Sequence, residues 1–204
     1  MIYMTHNQLT RALRKEYGIQ AGDRVGVLGD TAAMQPVYDA LWQLGACAVP
    51  LDIGTLTNTQ TLNAANAIYL IAHESKLARA VRAVEPGMVD PVGAMNCREV
   101  IQFDGEAGET FAHLDSLAAL QPDQPIGHTV DWFDAAKGEA NEALLLCLYF
   151  MEKVQLFTYT LGELREYVRR RETEDKPKFR PKLSALGFYP IAEDLVQVLI
   201  DATQ

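Results

Sequence analysis

Few residue groups in this chain could do chemistry, and the first is Gly26-Val27-Leu28-Gly29 at the end of an apolar run. Glycines at a strand end let backbone amides approach a dinucleotide pyrophosphate, but that use requires Gly-x-Gly-x-x-Gly, which this stretch does not meet. A plain strand-to-helix turn is the simpler reading, with Asp30-Thr31 capping the helix that follows. His6, His73, His113 and His128 are far apart, each near a loop or helix end, and none has a second His or Cys at ligand spacing. They read as surface histidines, and no metal site is expected. Asp23 and Asp52 could be imagined as an acid/base pair, yet both fall at strand edges, where turn-stabilising carboxylates are the simpler account. Cys47, Cys97 and Cys147 are widely spaced and odd in number, which is neither a disulfide framework nor a zinc site. They point to core packing and a reducing compartment. We therefore expect no catalytic residue and no cofactor.

Those residues are positioned by a βαβ unit. A charged turn at Gly22-Asp23 leads into Val25–Leu28, an apolar run with the length of a buried strand and no helical period. Met34, Val37, Tyr38, Leu41 and Leu44 then recur at three and four and define one helix face, stopped by Gly45. Ala46–Val49 is a second strand, ended by Pro50. Such a crossover makes the two strands parallel. Upstream, Thr5 and Gln8 have capping-box spacing for a helix over about 6–17, with Leu9, Ala12, Leu13 and Tyr17 inward.

The same alternation continues downstream. A short helix is predicted over 57–67, a strand over 68–72, and a helix over 74–84 with Leu77, Val81 and Val84 inward. Val100–Phe103 is a strand closed by Asp104-Gly105, and 111–120 reads as a short helix. Residues 121–142 are loop-like. Ala143–Phe150 and Val154–Thr158 are strand candidates, and Thr160 with Glu163 caps a helix from Leu161 to about Arg171, with Leu161, Leu164 and Val168 inward. The class is α/β with a mainly parallel sheet. We expect an α/β domain over 1–171, a charged, proline-containing linker over 172–190 and a terminal helix over 191–204.

Composition bounds the function. With 204 residues, 49% of them hydrophobic, the chain can bury one sizeable core. A net charge of −9 argues against general nucleic-acid binding, which relies on excess Lys and Arg. No run of 18 apolar residues is present to span a membrane, and Met-Ile-Tyr-Met-Thr-His lacks the features of a secretory signal. Residues 165–182 differ from the rest: eight basic side chains against four acids leave a local +4, with −13 elsewhere. Arg165, Arg169, Arg170, Arg171, Lys178 and Arg180, with Phe179, Phe188 and Tyr189 as apolar anchors, form a candidate interface for an acidic protein partner or anionic lipid headgroups. A merely solvated helix end and linker is the plain alternative.

Gly22-Asp23-Arg24-Val25, the helix carrying Ala40-Leu41 and Leu44-Gly45-Ala46, and the exit Val49-Pro50-Leu51-Asp52 resemble the start of the adenylate-forming enzymes, the superfamily of acyl-CoA synthetases, luciferases and peptide-synthetase adenylation domains. Those enzymes activate a carboxylate with ATP. The resemblance implies that the strand corresponding to Ala143–Leu148 delivers the chain into a Ser/Thr/Gly-rich, Lys-ended loop that wraps the ATP phosphates. Close amide approach to a polyphosphate needs glycines, hydroxyls and a cation. Here the corresponding residues are Leu148-Tyr149-Phe150-Met151-Glu152-Lys153-Val154, with no Gly, Ser or Thr and with Glu152 set against phosphate. Lys153 alone matches, while the flanks keep the family's pattern.

A site removed from a retained scaffold implies a protein that works by contact. The expectation is a non-catalytic accessory subunit of a larger assembly, in the manner of enzyme folds reused in organellar energy-converting complexes, in a mitochondrial or cytoplasmic setting. The alternatives are one chain of a split, ATP-dependent acid-activating enzyme and an acyl or small-molecule binding module.

Overall fold

The computed structural model describes residues 5–51, 55–85, 93–124, 126, 141–150, 153–164 and 166, and side chains throughout these except at 55–57 and 147–155. The predicted linker, the terminal helix and every residue of the candidate basic interface lie outside the described residues.

Seven strands form one sheet in the order β5-β4-β3-β1-β2-β6-β7, parallel except for the antiparallel pair β6–β7. In chain order the elements are α1 (His6–Tyr17), β1 (Arg24–Leu28), α2 (Gln35–Gln43), β2 (Cys47–Pro50), α3 (Thr55–Ala65), β3 (Tyr69–His73), α4 (Leu77–Val84), β4 (Val100–Phe103), β5 (Ala112–His113), α5 (Leu114–Ala119), β6 (Glu142–Phe150) and β7 (Lys153–Thr160). A 3-10 turn, Glu74–Lys76, precedes α4. The expected α/β class and the βαβ unit are both found.

The strand alternation divides the interior into two layers. Val25, Val27, Ala48, Ile71, Ile101 and Leu144 pack with α1, α2 and α5. Leu28, Val49, Leu70, Ala72, Val100 and Leu145 pack with α3 and α4 on the other face. Gly26 belongs to the second layer: a Cβ there would stand 2.7 Å from Leu62 Cδ2 and 3.1 Å from Leu70 Cδ1. Glycine at this position lets α3 sit down on β1, which accounts for it without a nucleotide.

Helix ends follow their local chemistry. Gln8 N–H donates to Thr5 Oγ1 at 3.4 Å and Thr5 N–H donates to Gln8 Oε1 at 3.1 Å, the reciprocal box expected from the spacing. Thr160 and Glu163 repeat it at 2.9 and 3.2 Å, and Leu161 and Leu164 are buried. Gly45 takes φ 71°, its N–H donates to the Trp42 carbonyl and that of Ala46 to the Leu41 carbonyl, both at 2.9 Å. This paired closure satisfies the last carbonyls of α2 and needs the left-handed residue at Gly45.

Three local expectations are corrected. Helix α2 begins later than Asp30-Thr31: Met34 is its N-cap residue, with no side-chain cap. Asp30 instead closes the preceding turn, accepting from Ala32 N–H through Oδ1 at 3.1 Å and from Met34 N–H through its carbonyl at 2.9 Å. Residues 111–120 are not one helix, because Ala112-His113 pairs with β4 before α5 starts. In α4 the fully buried positions are Ala80 and Ala83, with Leu77, Val81 and Val84 half-buried. Small residues meet the sheet there, and the larger ones flank them.

Candidate functional site at the carboxyl edge of the sheet

In a parallel α/β sheet ligands bind outside the carboxyl ends of the strands, above all where successive helices change face. Here that point lies between β1, whose following helix α2 covers one face, and β3, whose following helix α4 covers the other. The chain ends meeting there are Gly29-Asp30 and His73, and a Cβ on Gly29 would stand 3.0 Å from His73 Cβ.

The stretch that the resemblance would assign to a phosphate loop, 148–154, lies further along the same edge. It is a continuous ladder: Leu148 pairs with Gln155, Tyr149 with Val154, and Phe150 with Lys153. Only residues 151 and 152 lie between the last paired residues. Antiparallel backbone groups point alternately toward the partner strand and away from it, so their amides cannot converge on one anion. Lys153 is the first residue of β7 rather than the end of a loop. On its other side β6 pairs in parallel with β2, Leu144 opposite Ala48.

At the other flank two of the four histidines come together. His73 Nε2 lies 3.4 Å from Asp104 Oδ2, and His113 Nε2 lies 3.3 Å from the Asp104 carbonyl and 3.7 Å from Asp115 Oδ2. Asp104, at φ 63°, donates its N–H to Asp115 Oδ2 at 2.7 Å, while Gly105 N–H donates to Asp104 Oδ1 at 2.8 Å. Burial holds the Asp115 carboxyl above its ordinary range, against an opposing pull from the Asp104 amide and His113. Reading the histidines as isolated corrects to reading them as one cluster across β3, β4 and β5. A signal was present: each ends a strand and precedes a serine by two or three residues, His73-Glu74-Ser75 and His113-Leu114-Asp115-Ser116. Among the described residues no group of three or more His, Cys, Asp and Glu is arranged to hold a metal ion.

The opposite edge of the sheet accounts for Gly22-Asp23-Arg24-Val25 structurally. Asp23 Oδ2 accepts from Gln20 N–H at 2.9 Å, a turn-stabilising carboxylate as expected; Asp52 lies outside the described residues. Arg24 donates through Nε and Nη2 to Glu142 Oε2 at 3.0 and 2.7 Å, and through Nη1 to the Ala65 carbonyl at 3.1 Å. One guanidinium thereby ties the start of β1 to the end of α3 and the start of β6. Cys47 is buried and Cys97 half-buried, its thiol pushed up to about 11 chiefly by burial. That is the inert state of a packing cysteine. Among the described residues no helix is long and apolar enough to cross a membrane.

No family model matches the chain, and no curated protein sequence does. Solved structures do. A long-chain-fatty-acid-CoA ligase from Archaeoglobus fulgidus is similar at 17% identity and a TM-score of 0.68, over 97% of this chain and 36% of that one. A Mycobacterium tuberculosis fatty acyl CoA synthetase is similar at 14% identity and 0.69, over 98% and 36%. The red-emitting luciferase of Phrixothrix hirtus is similar at 11% and 0.63, over 80% and 38%. The chain thus spans a little over a third of the length of each.

Proposed function

We propose that this chain, which has the fold of the first part of an adenylate-forming enzyme's N-terminal domain, works without adenylate chemistry, as a structural or accessory subunit of a larger protein assembly. The observation that supports the reading is the β6–β7 ladder: pairing runs to Phe150 and Lys153, across the residues that the resemblance would assign to a phosphate loop. Triphosphate binding calls for several amides or hydroxyls aimed at one point, and a ladder spends those groups on its partner strand. A mitochondrial energy-converting complex is the assembly we propose, and the basic segment, Arg165 to Arg180 with Phe188 and Tyr189, is the docking surface that goes with it.

Titration calorimetry with ATP and magnesium tests the reading directly. No binding is expected up to millimolar nucleotide. Micromolar binding would overturn the proposal in favour of one chain of a split acid-activating enzyme, and binding of a fatty acid or amino acid without ATP would favour a small-molecule binding module. Native mass measurement after purification from the source cell is the second arm: a lone stable monomer argues against a subunit role.

A further inference from the structure

His73 and His113 are built into the fold in the same way. Each is the residue before a helical segment, and each ring accepts through Nδ1 from a backbone amide of the first turn, Ser75 N–H and Ser116 N–H, both at 3.2 Å. The hydroxyl of the same serine lies against the same Nδ1, at 2.9 Å for Ser75 and 2.8 Å for Ser116. A nitrogen that accepts an amide hydrogen carries none itself, so the neutral ring bears its proton on Nε2. Both Nε2 atoms face the turn after β4, that of His73 toward Asp104 Oδ2 and that of His113 toward the Asp104 carbonyl and Asp115 Oδ2. The remaining lone pair, on Nδ1, is the one a metal would take, and in each ring it already accepts from the serine amide.

The charged groups around the rings are Glu74 of the 3-10 turn, packed on Gly105, Asp104 of the β4–β5 turn and Asp115 of α5. Among the described residues no Lys or Arg forms an ion pair with these three carboxylates. The histidines are their cationic partners when protonated.

We propose that His73, His113, Asp104 and Asp115 form a proton-operated clasp at the carboxyl edge, which trades the caps of two helical segments for ion pairs across the β4–β5 turn. Adding a proton puts a hydrogen on Nδ1 of each ring. That hydrogen opposes the amides of Ser75 and Ser116, which lose their acceptor, while each serine hydroxyl turns from donor to acceptor and keeps the ring in place. At the same moment the Nε2–H contacts to Asp104 and Asp115 become charge-assisted and shorten. The turn carrying Asp104 and Gly105 is held harder as the 3-10 turn before α4 and the first turn of α5 loosen.

Two-dimensional ¹H–¹⁵N spectroscopy of the whole chain tests this. At pH 8 both rings are expected as the Nε2–H tautomer. On acidification, hydrogen-exchange protection at Ser75 and Ser116, corrected for intrinsic rate, should fall about fivefold, the factor equivalent to an ordinary cap, and protection at Asp104 and Gly105 should rise. His73→Asn keeps a capping oxygen but cannot be charged, so the response at Ser75 disappears while that at Ser116 remains; His113→Asn gives the converse. An Nδ1–H tautomer at pH 8, or pH-independent protection at both serines, overturns the clasp.

Discussion

Residues 24–50 and 142–160 supply neighbouring parts of one sheet, yet the chain returns on itself in opposite ways. In the first, β1 and β2 are joined by a helix that covers the sheet, and the glycines answer to backbone demands: Gly26 admits α3, and Gly45 closes α2 in the left-handed region. In the second, β6 turns straight back as β7 with two residues between the last pair, and neither strand contains a glycine. The first region meets its packing demands with glycine at two positions. The second meets its own by regular antiparallel pairing, with no backbone position that calls for one. The determinants of the sheet run through both regions, whereas any chemistry has to be argued from particular side chains.

The largest effect should come from the residue that joins the two. Trp42 of α2 is buried, stacks on Tyr38 at 5.5 Å between ring centroids, and donates its Nε1–H to the Ala143 carbonyl of β6 at 2.7 Å. Trp42→Ala is expected to cost about 4 kcal/mol of unfolding free energy in a denaturant titration. Trp42→Phe keeps most of the apolar body and strands the carbonyl, and should cost about 1–2 kcal/mol. If Trp42→Phe costs nothing measurable, the hydrogen bond contributes nothing to joining the regions.

How much of this was legible follows from the range of the forces involved. Thr5 with Gln8, Thr160 with Glu163, and Gly45 act within four residues, and their spacing foretold what they do. The β1-α2-β2 unit was legible because its apolar faces are periodic. The absence of glycine at 148–154 was plain in the sequence, but the register that pairs Phe150 with Lys153 was not, since a run of apolar residues fits more than one register. Met34 displaced Asp30 as the N-cap residue of α2 because Asp30 closes the turn before it, a competition between two local uses of one carboxylate. His73 and His113 are 40 positions apart in sequence and meet only because β3, β4 and β5 lie side by side. Spacing along the chain cannot report that.

A smaller effect sharpens the contrast by asking how well the first region is satisfied. Asp39 of α2 has a buried Oδ1 without a hydrogen-bond partner among the described residues, and burial raises its carboxyl to about 7. An acid whose folded pKa lies above its unfolded value of 3.8 destabilises the fold when charged. The penalty is full above pH 7, shrinks as pH falls from there toward 3.8, and is gone below that, where both states are protonated. Asp39→Asn should accordingly stabilise the protein by about 2 kcal/mol at pH 8 and by nothing measurable near pH 3.5. Denaturant midpoints at the two pH values check it, and an equal gain at both would mean that the carboxylate is not strained by its surroundings.

The smallest effect concerns the tie at the opposite edge, where Arg24 of β1 meets Glu142 of β6 at 2.7 Å. The side chains are 28% and 38% exposed, so solvent screens much of their attraction, and a coupling of about 0.5–1 kcal/mol is expected in a double-mutant cycle of Arg24→Met and Glu142→Gln. The arginine's other bond, to the Ala65 carbonyl, is lost in Arg24→Met whatever stands at 142 and so cancels from the cycle while enlarging the single-mutant cost. Arg24→Met should therefore cost more than Glu142→Gln by about the worth of one hydrogen bond, 1 kcal/mol. Equal single-mutant costs would mean that the guanidinium serves the pair alone, and that the end of α3 is held to β1 by Leu62 on Gly26 without it.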